Sequence, residues 1–180
     1  MSLSYRYVYT DEADINVNNV LGVLYTAEKY GVQTLCQTCE DFLSNHLNGD
    51  NALQIMDQAI TYNLKDLEKR AAKIIEKEAT LLLASEAFQQ LSRVTLMACL
   101  RLDLKVASEK LVVDGCIQWA KEKCRREGKM AEGREIREVL GDAFHLIRFP
   151  CLTAEEFSDI ASEYEFFSSD EERQVCDLHV

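Results

Sequence analysis

The chain has 180 residues, 47% hydrophobic and 28% charged, enough apolar content for a sizeable core in a soluble globular protein. A net charge of −11, from 31 acidic and 20 basic residues, argues against nucleic acid as a partner. No eighteen apolar residues run together, which excludes a membrane-spanning helix.

The opening Met1-Ser2-Leu3-Ser4 lacks the basic start and apolar run of a secretory signal. Residues 1–3 read as extraneous to the domain, on a chain that begins within one. The seven cysteines (Cys36, Cys39, Cys99, Cys116, Cys124, Cys151 and Cys176) are odd in number and mostly fall on apolar positions. Reduced thiols in a reducing compartment are expected, acting as small hydrophobes.

Tyr5-Arg6-Tyr7-Val8-Tyr9 leads to a polar turn, and Ala13 to Val17 alternates like a short strand. From there the spacing is helical. Val17, Val20, Leu21, Leu24 and Ala27 form one stripe, closed at Tyr30-Gly31, where glycine suits a helix C-terminus. Leu35, Cys39, Phe42, Leu43 and Leu47 form a second. Asp50 is the expected cap of a third, carrying Ala52, Ile55, Met56, Ala59 and Ile60. Asn63 is the expected cap of a fourth, with Leu67, Ala71, Ile74 and Ile75 inward.

Ser85 and Ser92 open two short helices. Ser108 precedes a longer one whose inner face is Leu111, Val112, Gly115, Cys116 and Trp119, with Gly115 suited to a close helix approach. Residues 125–133 are polar and glycine-containing, a mobile loop by expectation. A further helix carries Ile136, Val139, Leu140 and Phe144. Thr153 and Glu156 have capping-box spacing, with Leu152 and Phe157 at the hydrophobic-staple positions, and Ser168 with Glu171 repeats the box. The predicted fold is all-α: stacked antiparallel helical hairpins with at most a short strand near the N-terminus.

Little in the chain suggests reaction chemistry. Cys36-Gln-Thr-Cys39 is the one pair at metal or redox spacing, and it lacks two further ligands and a strand-to-helix setting. His46, His145 and His179 are scattered, and His145 reads as a hydrogen-bonded structural histidine. Adjacent acids such as Glu155-Glu156 serve helix starts. Lys121, Lys123, Arg125, Arg126 and Lys129 are interrupted by Glu122 and Glu127, the pattern of a solvated helix end. No enzymatic activity, cofactor or metal is expected.

The residue identities add a resemblance. Tyr7-Val8-Tyr9-Thr10-Asp11-Glu12, followed by Val20-Leu21, Leu24-Tyr25, Ala27, Lys29-Tyr30 and Cys39 with Phe42-Leu43, resembles the C-terminal third of a BTB/POZ domain. Asn51-Ala52 and Ala59 resemble the three-box helix pair that follows it in cullin-3 adaptors. Ser85-Glu86-Ala87-Phe88, Ser108-Glu109, Trp119-Ala120, Val139-Leu140-Gly141 and Leu146-Ile147-Arg148-Phe149-Pro150 are similar to BACK landmarks, closest to the BTB-BACK-PHR branch. The corresponding organisation is residues 4–48 as the end of a BTB domain, 49–167 as three-box and BACK, and 168–180 as a terminal helix and tail.

The resemblance implies a protein-interaction and spacer module in a substrate adaptor for a cullin-3 RING ubiquitin ligase, located in the cytoplasm or nucleus. It also implies a homodimer through the BTB region. The alternative is a BTB-BACK scaffold that recruits regulatory partners without a ligase role. Partner-binding candidates carried over from the family are Tyr30, Val32, Asn51, Leu53, Ile55 and Met56. Ala52, Ile55, Met56 and Ala59 share one stripe that a neighbouring helix would bury, whereas Leu53 stands off it as the exposed candidate.

Overall fold

A computed structural model describes Ile15, Asn16 and residues 19–177. These residues contain helices and no strand. The alternating stretch at 13–17 lies largely outside them. Packing divides the chain into two compact units, Met1–Ile74 and Ile75–Val180.

In the first unit, α1 (Val20–Tyr30) packs on α2 (Gln33–His46), followed by α3 (Gly49–Thr61) and the start of α4 (Lys65–Leu83). The buried face of α1 is Val20, Val23, Leu24 and Ala27. Leu21, expected inward, is only half-buried, and Val23 takes its place. On α2, Leu35, Cys39 and Leu43 are buried, while Phe42 stays half-buried and stacks on His46 with centroids 4.1 Å apart.

Two expected caps fall elsewhere. Helix α3 begins at Gly49 with Asn48 as its N-cap, which puts Asp50 in the first turn. Asn51 decides this: its Oδ1 accepts the Asn48 amide at 2.9 Å and its Nδ2 donates to the His46 carbonyl at 2.7 Å. Asn63 closes α3 instead of opening α4. It adopts φ 60°, and the Leu64 amide returns to the Ala59 carbonyl at 2.8 Å, a left-handed helix stop that asparagine tolerates.

The second unit holds the end of α4, α5 (Glu86–Gln89), α6 (Arg93–Leu100), α7 (Glu109–Arg126), α8 (Gly133–Leu140), 3-10 turns at Gly141–Leu146 and Phe149–Cys151, α9 (Ala154–Tyr164) and α10 (Ser169–Asp177). Here the local capping signals hold. Ser85, Ser92 and Ser108 accept the amides of Phe88, Thr95 and Lys110 at 3.2, 3.2 and 3.1 Å. Thr153 and Glu156 form the reciprocal box at 3.2 and 2.9 Å, with Leu152 and Phe157 both buried.

Helix α7 is the centre of this unit. Val112, Gly115, Cys116 and Trp119 are buried, and the Trp119 Nε1 donates to the Leu91 carbonyl at 3.0 Å. Leu111, expected inward, is 36% exposed. A Cβ at Gly115 would stand 3.3 Å from the Leu83 carbonyl oxygen, the close approach that the sequence suggests.

A second lock joins the last elements. The Arg137 guanidinium donates to Glu171 at 2.6 and 2.9 Å and to the Phe166 carbonyl at 2.8 Å, and lies 4.3 Å over the Phe144 ring. Beside it Phe144, Phe149, Phe157, Phe166 and Phe167 form a chain of ring contacts with one another, centroids between 4.8 and 6.2 Å apart.

Candidate partner-binding surface

Each predicted partner residue has a definite place in the first unit. Tyr30 ends α1 and is 70% exposed. Its position follows from the turn beside it: Gly31 adopts φ 67°, and the Val32 amide bonds back to the Ala27 carbonyl at 2.9 Å. That stop directs the chain from α1 into α2 and leaves Tyr30 on the surface with half-buried Val32 two residues on. A second aromatic feature is Tyr25, 42% exposed, its ring centroid 4.9 Å from that of Tyr62.

The α3 candidates are placed differently. Asn51 is half-buried and occupied as the clamp between the end of α2 and the start of α3. Ile55 and Met56 are buried at 7% and 2% exposure. Leu53, expected to stand off the inward stripe, is 1% exposed. The buried face of α3 is wider than one stripe, because Leu53 and Met56 form a second ridge beside Ala52, Ile55 and Ala59. An Asp at position 53 is therefore a folding lesion, and no probe of a docking surface.

A cleft of about 250 Å³ opens in the same unit, lined by Leu24 and Glu28 of α1, Glu40 and Leu43 of α2, and Lys65 and Arg70 of α4 among others. Partial burial and the nearby Glu40 push the Glu28 carboxyl above its usual range. The thiol of Cys36 is raised by burial first, then by Glu28 and Glu40. Cys39 is pushed up to about 11, chiefly by burial and then by Cys36 and Glu40. Both thiols are protonated at neutral pH, which makes them weak nucleophiles and weak metal ligands. Among the described residues no group of three or more His, Cys, Asp or Glu is arranged to hold a metal ion.

The cleft is not legible in the sequence, because its walls come from residues 24–43 and 63–70, far apart in the chain. A signal existed nonetheless. Glu28 follows Leu24 by four residues and Glu40 precedes Leu43 by three, so each acid borders a buried stripe.

In the second unit His145 is exposed, its ring set edge-on to Phe144 at 5.8 Å. The basic cluster is largely neutralised. Arg125 and Arg126 donate to Glu122 at 2.7 and 2.9 Å, and Lys129 meets Glu127 at 2.9 Å. No described helix is long and apolar enough to cross a membrane.

The first unit is thus a set of packed helices with an exposed aromatic, Tyr30, at the junction of α1 and α2. Comparison with known proteins places the chain more closely. Residues 52–162 match the family model described as BACK, BTB And C-terminal Kelch, and residues 5–47 match that of the BTB/POZ domain. The chain belongs to the BTB-BACK family. It is 32% identical over 170 residues to BTB/POZ domain-containing protein 6 of Homo sapiens, covering 94% of this chain and 32% of that protein. The figures are the same for protein 6-A of Danio rerio. BTB/POZ domain-containing protein 3 of Homo sapiens is 34% identical over 158 residues, 88% of this chain and 30% of that protein. The chain thus spans about a third of the length of these curated relatives. BTB and BACK domains are protein-interaction modules, and BTB domains generally mediate dimerisation.

Proposed function

We propose that this chain is the interaction and spacer module of a substrate adaptor for a cullin-3 RING ubiquitin ligase, working as a BTB-mediated homodimer in the cytoplasm and nucleus. The observation that carries the reading is continuity: the end of a BTB domain (5–47) is followed within a few residues by the helices that open the BACK match at 52. Such an order puts the α1–α2 junction and the following helix α3 in one compact unit. Tyr30 and Val32 are the contact residues of this reading. Tyr30 is the stronger of the two, as a large exposed aromatic of the kind that anchors interfaces. Asn51, Leu53, Ile55 and Met56 act indirectly, by holding α3 in place.

The test is calorimetric titration of the cullin-3 N-terminal region into the protein carrying its complete BTB domain. Binding is expected, with Tyr30→Glu weakening it about tenfold, or ~1.4 kcal/mol. Unchanged affinity in the variant removes Tyr30 from the interface. Absence of binding by the parent overturns the adaptor reading.

A further inference from the structure

We draw no further inference here: the strongest candidate, the exposed Ser169 hydroxyl with the acidic cluster Asp170, Glu171 and Glu172 in the first turn of α10, rests on a helix start and its carboxylates alone, and nothing in the structure shows a ligand or enzyme that would act on it.

Discussion

At position 53 an aspartate would have to leave water or lose its charge, since the native leucine is 1% exposed. Burying an unpaired carboxylate and opening a cavity both destabilise, so Leu53→Asp should cost about 3 kcal/mol or more. Thermal unfolding followed by circular dichroism checks this, and a melting temperature like that of the parent would show the side chain to be free. Gly133 is as demanding for a different reason. A Cβ there falls on the Tyr164 carbonyl oxygen, with the carbonyl carbon 2.7 Å away, and both are backbone atoms that no rotamer change can move. Gly133→Ala should therefore cost about 3 kcal/mol, where the same change at an unhindered helix position stabilises. An unchanged or raised denaturant midpoint would contradict that packing. The sequence misplaces Leu53 as exposed and gives no sign of the demand at Gly133. The width of a buried helix face and the approach of a distant carbonyl are set by neighbours remote in the chain.

Helix ends were more legible, because a cap is a local event between residues three apart. Ser85, Ser92, Ser108 and Thr153 cap where their spacing predicts. The two failures have local ambiguity as their cause. Asn48, Asp50 and Asn51 are all competent near the start of α3, and the bond from Asn51 to the His46 carbonyl breaks the tie. Asn63 suits a helix start and a left-handed helix end equally, and the reach of the Leu64 amide back to Ala59 selects the end. The lock on α10 yields a pH prediction. Arg137, followed by the Ser168 cap, lowers the Glu171 carboxyl from 4.5 to about 2. A depressed carboxylate binds fewer protons folded than unfolded, so its contribution is complete above the unfolded value and is lost as pH falls from about 5 toward 2. With both side chains about a third exposed, solvent screening limits the effect to about 1 kcal/mol. Melting curves between pH 2.5 and 6 should show Glu171→Gln flattening this acid limb, and an identical limb in the variant would place the titration elsewhere.

For the molecule as a whole, the all-helical class and the BTB-BACK membership were readable from hydrophobic spacing and ordered family residues, whereas the cleft was not. Spacing along one helix reveals which face is buried, yet a concavity arises only when several helices assemble. The same limit explains why, of six partner candidates, Tyr30 keeps a broadly exposed surface. The account depends on that junction between α1 and α2 being where a partner docks. Hydrogen–deuterium exchange on the protein with its complete BTB domain, with and without the cullin-3 N-terminal region, tests it most directly. The account predicts slowed exchange at the amides around Tyr30 to Cys36, with the segment from Gly133 to Val175 unchanged. Protection confined to the second unit, or none around Tyr30 at saturating cullin-3, would contradict it.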